Sequence, residues 1–136
     1  SITGMTGHQQ NPLTGMTLKN QPTAQLSAEA IVKACGIERV RVKDPQDLKG
    51  LEAAIREELA AKAPSVIIVR RPCALLKWVK HNPALHVDTD KCRSCRACMQ
   101  IGCPALVFAD KARIDPTLCV GCGLCEQLCH FDAIKA

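Results

Sequence analysis

Aromatic residues are almost absent from this chain of 136 residues, which has two phenylalanines, one tryptophan and no tyrosine. Single-stranded nucleic acids usually stack their bases on aromatic side chains, and phosphate binding requires a clustered basic patch, which the sequence also lacks. No apolar stretch is long enough to cross a bilayer, and no segment resembles a signal peptide. We therefore expect a protein that binds neither nucleic acid nor membrane, and the cytoplasm is its expected location.

Cysteine, by contrast, is abundant, with 10 residues. All but two of them form the runs Cys92-x2-Cys95-x2-Cys98-x4-Cys103-Pro104 and Cys119-x2-Cys122-x2-Cys125-x3-Cys129. Zinc sites pair their ligands across a longer loop, and disulfide frameworks are typical of secreted chains. Two runs of this spacing instead predict two [4Fe-4S] clusters, and therefore electron transfer. The other two, Cys35 and Cys73, are expected to be buried free thiols.

The spacing also predicts which cysteines share a cluster. In two-cluster ferredoxins the first three thiolates of a run bind one cluster, and the fourth binds the other. Cluster 1 is therefore predicted to take Cys92, Cys95, Cys98 and Cys129. Cluster 2 is predicted to take Cys119, Cys122, Cys125 and Cys103. Neither cluster would be complete with one run alone.

The two runs are halves of an internal repeat, which implies pseudo-twofold symmetry. Residues 87–92 align with residues 114–119, and the next two cysteines stay in register. Between the halves, apolar residues on both sides of the polar pair Asp110-Lys111 predict a short hairpin. The repeat is imperfect, because the first run has an extra residue before its last cysteine and His130 stands where Pro104 stands in the first run.

The region that carries the cysteines is small. A domain of about 50 residues cannot depend on an apolar core alone, so cluster ligation is expected to supply much of its folding free energy. The formal net charge of the chain is +5. Two oxidised clusters with their thiolates would each add about two negative charges, which would leave the loaded protein close to neutral.

The first half of the chain carries helix and strand patterns instead. Ser27 is the predicted N-cap of a helix that ends at Gly36. Asp44 is predicted to cap a second helix, with Pro45 in its first position. An apolar stripe at helical spacing on this second helix is predicted to face the core. It consists of Leu48, Leu51, Ile55 and Leu59.

Two strands are predicted to flank the second helix. Residues 37–42 end in an alternation of apolar and charged residues, which is typical of a half-buried strand. Residues 65–70 are almost continuously apolar and predict a strand buried on both faces of a parallel sheet. One β-α-β unit cannot cover both faces of its sheet, and the sequence begins with Ser1 rather than methionine. We therefore expect the chain to be a fragment of a larger α/β protein.

These patterns divide the chain into three parts. Residues 1–74 are the expected C-terminal part of an α/β domain, residues 75–84 a linker, and residues 85–136 an α+β domain like the two-cluster bacterial ferredoxins. The expected fold class is therefore an α/β fragment followed by a two-cluster ferredoxin-like domain.

Four groups of residues follow one another in a characteristic order. They are Met5-Thr6-Gly7-His8-Gln9 with Asn11-Pro12, Asp44-Pro45-x-Asp47-Leu48, Arg70-Arg71-Pro72-Cys73-Ala74-Leu75, and the two cysteine runs. In this combination the chain resembles the C-terminal end of the indolepyruvate:ferredoxin oxidoreductase alpha subunit over essentially its whole length. The resemblance implies that residues 1–74 end a domain that binds thiamine diphosphate.

Enzymes of that family use thiamine diphosphate and Mg²⁺ to decarboxylate an aryl 2-oxo acid. They pass electrons through iron-sulfur clusters to a separate ferredoxin and form an aryl-acetyl-CoA. The resemblance therefore implies a beta subunit, an external ferredoxin, CoA and an aryl 2-oxo acid as partners of the complete enzyme. It also places Thr6, Gly7, His8 and Gln9 on the loop that borders thiamine diphosphate. There His8 either faces the substrate adduct as a catalytic residue or only braces the loop.

The sequence lacks one motif of this family. No Gly-Asp-Gly segment with a downstream asparagine, which would hold the magnesium diphosphate, occurs in these 136 residues. We therefore do not expect this chain alone to decarboxylate a substrate. Two alternatives remain: a free-standing ferredoxin-like carrier with eight irons and an unrelated α/β appendage, and a non-redox interaction module stabilised by clusters or zinc.

Overall fold

A computed structural model describes residues 9–136 of the chain. Its helices are α1 (Ala28–Ala34), α2 (Leu48–Ala60), α3 (Leu124–Gln127) and a 3-10 helix over Ala97–Ile101. Its strands are β1 (Arg39–Lys43), β2 (Ser65–Val69), β3 (His86–Val87), β4 (Leu106–Phe108), β5 (Ala112–Ile114) and β6 (Ile134–Lys135). The chain divides into two compact units between Val79 and Lys80, named here the N-terminal and C-terminal units. Within the described residues, no helix has the length and apolar character needed to cross a membrane.

The N-terminal unit contains the predicted β-α-β pattern. Strands β1 and β2 pair in parallel, with Arg39 opposite Ser65 and Lys43 opposite Val69, and α2 connects them. The prediction for α1 is also confirmed, because the Ser27 side chain accepts a hydrogen bond from the Ala30 N–H at 3.2 Å. In contrast, β2 is only half-buried in this chain, because its sheet has two strands within residues 9–136.

The predicted start of α2 was wrong. Asp44 does not cap the helix, because its carboxylate accepts a hydrogen bond from the Gln46 N–H at 2.8 Å and so forms a turn before the helix begins. Asp47 is the N-cap, and its side chain accepts a hydrogen bond from the Gly50 N–H at 2.9 Å. The turn that contains Pro45 therefore delays the helix to Leu48.

The predicted apolar stripe of α2 is only partly buried. Leu59 is 81% exposed and Ile55 is 42% exposed, whereas Ala54 and the charged Glu58 are buried. The Glu58 carboxylate accepts hydrogen bonds from Arg39 at 2.8 Å and from Arg41 at 3.0 Å. These guanidinium groups, Arg39 first, hold the pKa of Glu58 below its usual range despite the opposing effect of burial. Two arginines on β1 therefore explain why a carboxylate occupies a buried helix position.

Replacement of Glu58 by glutamine is expected to lower the melting temperature of the N-terminal unit at neutral pH, because two guanidinium groups lose their charged acceptor. Because the pKa of Glu58 is lower in the folded chain than in the unfolded chain, its charged carboxylate stabilises the fold at any pH above the unfolded pKa. This stabilisation is lost as the pH falls through the folded pKa. The difference between wild type and Glu58→Gln, followed by circular dichroism, should therefore shrink on acidification.

The matched control is Glu52→Gln, which removes the exposed carboxylate that pairs with Arg56 one helical turn away. Exposed pairs of this kind contribute little, so this variant should melt close to the wild type at every pH. Equal effects of the two substitutions would contradict a special role for the Glu58 cluster.

The C-terminal unit contains two small antiparallel sheets. Strand β4 pairs with β5, as the predicted hairpin requires, with Leu106 opposite Ile114. Strand β3 pairs with β6, with Val87 opposite Ile134. The core combines thiols with a few aliphatic side chains. Its buried members are Leu85, Cys98, Leu106, Ala112, Cys125 and Ile134.

Candidate iron-sulfur site

An aspartate turn positions the first cysteine of each run. The backbone carbonyl of Asp88 accepts a hydrogen bond from the Cys92 N–H at 3.0 Å, and that of Asp115 accepts one from the Cys119 N–H at 3.1 Å. The side chain of each aspartate accepts hydrogen bonds from the residues that follow it, and these bonds lower the pKa of both carboxyl groups. The two aspartates, which the repeat aligns, therefore build the same local structure twice.

The loops that follow are also equivalent in their backbone conformation. The second and fourth residues after the first cysteine have left-handed backbones in both runs. These residues are Ser94 (φ 55°) and Arg96 (φ 62°) in the first run, and Gly121 (φ 62°) and Gly123 (φ 76°) in the second. Only the second run uses glycine, the residue that adopts this conformation without strain. The sequence repeat did not reveal that Ser94 and Arg96 would share it.

The structure brings together Cys92, Cys95, Cys98 and Cys129. Cys98 is buried, and burial raises its pKa, with further increases from the charges of Cys129, Cys95 and Cys92. The same four residues line one cavity. Backbone groups also point at these sulfurs: the Ala133 N–H donates to Cys129 Sγ at 3.3 Å. The N–H groups of Ser94 and Ala112 lower the pKa of Cys92.

A second group forms around Cys125, which is also buried. Burial raises the pKa of Cys125 to about 11, and the nearby charges of Cys122, Cys103 and Cys119 act in the same direction. Each group therefore contains three cysteines of one run and the last cysteine of the other.

The donor sets fit iron-sulfur clusters. Cysteine thiolates are the usual ligands of such clusters, and metal binding deprotonates thiols whose pKa burial has raised. Among the residues that the structure describes, no three His, Cys, Asp or Glu side chains lie close enough together to hold a single metal ion. Four thiols around one cavity provide the four ligands that one such cluster takes.

The remaining predicted positions differ in their outcome. Thr6, Gly7 and His8 of the predicted thiamine diphosphate loop lie outside the described residues, and the neighbouring Gln9 is exposed. Cys35 was expected to be buried, but it is exposed at the C-cap of α1. A helix end carries few packing neighbours, so the general tendency of cysteine to be buried did not apply there.

A close backbone contact at Gly121 was not predicted. A Cβ atom at this position would lie 2.5 Å from the Asn82 carbonyl oxygen and 2.6 Å from that of Pro83. The Asn82 side chain also donates a hydrogen bond to the Gly121 carbonyl at 3.2 Å. The segment that enters the C-terminal unit therefore packs directly on the loop of the second run.

Substitution of Gly121 by alanine should destabilise the iron-loaded chain more than the same change at Gly102. Both glycines have left-handed backbones, but no atom lies within 4 Å of the Cβ position at Gly102. Gly102→Ala therefore reports backbone strain alone, about 1 kcal/mol or roughly 5 °C in the temperature of cluster loss. Gly121→Ala adds a backbone clash and should cost about three times as much. Equal losses of cluster absorbance on heating would show that the contact with Asn82 is unimportant.

Comparison with known proteins identifies the class of each unit. Residues 1–69 match the family described as thiamine pyrophosphate enzyme, C-terminal TPP binding domain. Residues 112–135 match the 4Fe-4S binding domain. The chain belongs to the thiamine pyrophosphate enzyme family, and a ferredoxin-type domain follows its thiamine-binding part. Thiamine pyrophosphate is another name for thiamine diphosphate, so the first match argues against an unrelated α/β appendage.

Individual relatives show which kind of thiamine pyrophosphate enzyme the chain resembles. Indolepyruvate oxidoreductase subunit IorA of Thermococcus kodakarensis is 38% identical over an alignment of 148 positions, which covers 98% of this chain and 22% of that protein. The subunit of the same name from Archaeoglobus fulgidus is 37% identical. That alignment covers 99% of this chain and 23% of the relative. The resemblance to the indolepyruvate oxidoreductase alpha subunit is therefore confirmed. The chain spans only about a fifth of these relatives.

A shorter stretch of the chain also matches a protein of another name. Pyruvate synthase subunit PorD of Methanothermobacter marburgensis is 38% identical over 58 residues, which cover 43% of this chain and 68% of that protein.

Proposed function

We propose that this chain relays electrons through two [4Fe-4S] clusters within a thiamine-diphosphate-dependent 2-oxoacid:ferredoxin oxidoreductase. The observation that supports this proposal most strongly is the arrangement of eight thiols in two groups of four, each completed by the other run. Cluster 1 is assigned to Cys92, Cys95, Cys98 and Cys129. Cluster 2 is assigned to Cys119, Cys122, Cys125 and Cys103.

The clusters would supply one-electron carriers of low reduction potential. The residues of the chain hold them and set their surroundings. Backbone N–H groups that donate to cysteine sulfur, such as that of Ala133 to Cys129, stabilise negative charge on the ligands and so affect the potential. Buried aliphatic neighbours, among them Leu106 and Ile134, exclude water from the inner side of the site.

The complete enzyme would join this relay to the chemistry of its relatives. In it, thiamine diphosphate and Mg²⁺ would serve the decarboxylation of an aryl 2-oxo acid, with transfer of the acyl group to CoA. A beta subunit, an external ferredoxin and a cytoplasmic location complete the proposal. Thr6, Gly7, His8 and Gln9 would border the thiamine diphosphate, with His8 facing the substrate adduct. The chain lacks the magnesium-diphosphate motif, so that site would belong to another part of the enzyme.

The direct test is anaerobic reconstitution of the chain, followed by iron and acid-labile sulfide analysis and a dithionite titration monitored by EPR. The proposal predicts about eight irons and eight sulfides per chain and the signal of two interacting low-potential clusters. Zinc without sulfide would exclude electron transfer. About four irons would show that one of the two groups of thiols does not hold a cluster.

A further inference from the structure

The two cysteine runs share a backbone conformation but differ in charge. Residues 91–99 contain Lys91, Arg93 and Arg96 and no acidic residue, whereas the equivalent residues 118–126 contain Glu126 and no basic residue. Because the local fold is the same, this difference is not required by the cluster-binding loops. It makes the surroundings of the first site more positive than those of the second.

The positive residues lie at the first site itself. Arg93 and Arg96 line the cavity that the four cysteines of that site share. Lys111 lies close enough to contribute to the lowered pKa of Cys92. We call these three residues the basic rim. Asp110, which precedes Lys111 in the same turn, offsets one of these three positive charges. The rim therefore keeps an excess of positive charge.

The arginines of the rim are exposed and available. Neither forms an ion pair with any carboxylate that the structure describes. Arg96 instead lies over the Phe108 ring, with 4.5 Å from its guanidinium carbon to the ring centroid. This contact fixes the guanidinium while its charge stays accessible. By comparison, Lys91 is paired with Asp88 at 3.5 Å.

The same site is the more accessible to solvent. Of the eight cysteines assigned to clusters, Cys95 is exposed and the other seven are buried or half-buried. Cys95 lies between Arg93 and Arg96 in the sequence. At the second site the equivalent loop is covered, because Gly121 is in contact with Asn82 and Pro83. An exposed ligand that lines the same cavity as two arginines without a carboxylate partner suits transfer to a negatively charged protein.

We infer that the basic rim of Arg93, Arg96 and Lys111 is the docking surface for an acidic electron-carrier protein, and that electrons leave the chain through the cluster held at Cys95. This inference rests on the proposed electron relay. In the transfer step the reduced [4Fe-4S]⁺ cluster gives one electron to the acceptor and becomes [4Fe-4S]²⁺, and no proton moves. The rim attracts and orients the acceptor, and Cys95 supplies the exposed edge of the cluster.

The test measures binding separately from electron transfer. Zinc-substituted rubredoxin, a small acidic protein that cannot accept an electron, is titrated into the reconstituted full chain by calorimetry. Ionic strengths of about 0.01 M and about 1 M give Debye lengths of about 30 Å and 3 Å. The double variant Arg93→Gln/Arg96→Gln is expected to weaken binding at least about tenfold at low salt. High salt should have a similar effect on the unaltered chain.

The matched control is Lys19→Gln/Lys62→Gln, which removes the same charge from exposed residues of the N-terminal unit. Its affinity for zinc rubredoxin should stay within about twofold of the unaltered chain, because these two charges are not part of the basic rim. Cytochrome c, a basic protein, should bind weakly to every variant. Equal weakening by both double variants, or tighter binding of cytochrome c than of zinc rubredoxin, would overturn the inference.

Electron transfer from the dithionite-reduced chain separates this inference from the proposed function. Rates to iron rubredoxin should follow the pattern of binding, whereas rates to metronidazole, a small neutral acceptor, should stay similar in all variants. A chain that reduces neither acceptor would refute the relay itself. A chain that reduces metronidazole, but binds rubredoxin regardless of Arg93 and Arg96, would refute only the docking surface.

Carbodiimide cross-linking covers the case in which the arginine variant fails to bind iron. In the unaltered chain, cross-links from rubredoxin carboxylates should form at Lys111, and peptide mass spectrometry would locate them. Cross-links confined to lysines of the N-terminal unit would overturn the inference.

Discussion

A chain that carries both Cys92→Ala and Cys129→Ala is expected to retain about half of its iron, whereas a chain with Cys119→Ala and Cys129→Ala is expected to retain almost none. Cys92 and Cys129 belong to the same group of thiols, so the first variant damages only one cluster. Cys119 belongs to the other group, so the second variant damages both. Iron and sulfide analysis after anaerobic reconstitution would distinguish these outcomes, and EPR would show whether a single, non-interacting cluster remains.

The design separates exchanged ligands from ligands supplied within one run. If each run held its own cluster, the outcomes would be reversed: Cys92→Ala/Cys129→Ala would lose both clusters, and Cys119→Ala/Cys129→Ala would lose one. Cys35→Ser is the control for cysteine substitution in general. Cys35 lies in the N-terminal unit at a helix end, so this variant should bind the full amount of iron.

Removal of iron is expected to unfold the C-terminal unit while the N-terminal unit keeps its helices and strands. The buried hydrophobic residues of the C-terminal unit are two thiols, Cys98 and Cys125, and six aliphatic residues, three of which are alanines. So small a core cannot offset the conformational entropy of folding without metal ligation. After iron is removed by a chelator under reducing conditions, limited proteolysis should therefore cut mainly after Val79.

The N-terminal unit provides the internal control for this experiment. Its sheet and the pairing of Glu58 with Arg39 and Arg41 do not involve any cysteine of the two runs. Circular dichroism of the iron-free chain should therefore retain the signal of α2. If the C-terminal unit resisted protease without iron, its apolar contacts would be sufficient to fold it. Cluster ligation would then not be needed for its folding free energy.

The sequence predicted most of the elements because their signals are local. The N-cap at Ser27, the turn at Asp110 and Lys111, and the parallel pairing around α2 depend on short patterns of residue type. The error in the predicted apolar stripe of α2 arose because distant residues decided the outcome. Glu58 is buried because two arginines of β1 reach it, and this pairing cannot be read from the periodicity of the helix.

For the site, too, some features were predicted from the sequence and others were not. The spacing of the cysteines predicted two groups, but the left-handed backbone of Ser94 and Arg96 carries no signal in residues that rarely adopt it. The covering of Gly121 by Asn82 depends on a segment predicted as a linker. Positive charge at the first run was visible in the sequence, and its relation to the site became clear only when Arg93 and Arg96 were seen to line the cavity.

The pairing of strands in the C-terminal unit has a consequence for the connectivity of the chain. Each sheet joins one strand of the first half to one strand of the second, β3 with β6 and β4 with β5. This is the arrangement of a twofold dimer whose two subunits are joined by the turn at 109–111. His86 lies opposite Lys135, so the start of β3 and the end of β6 are adjacent. A circular permutant opened at this turn and closed by a short linker between its former ends would keep every strand pair, which makes the order of the halves along the chain interchangeable.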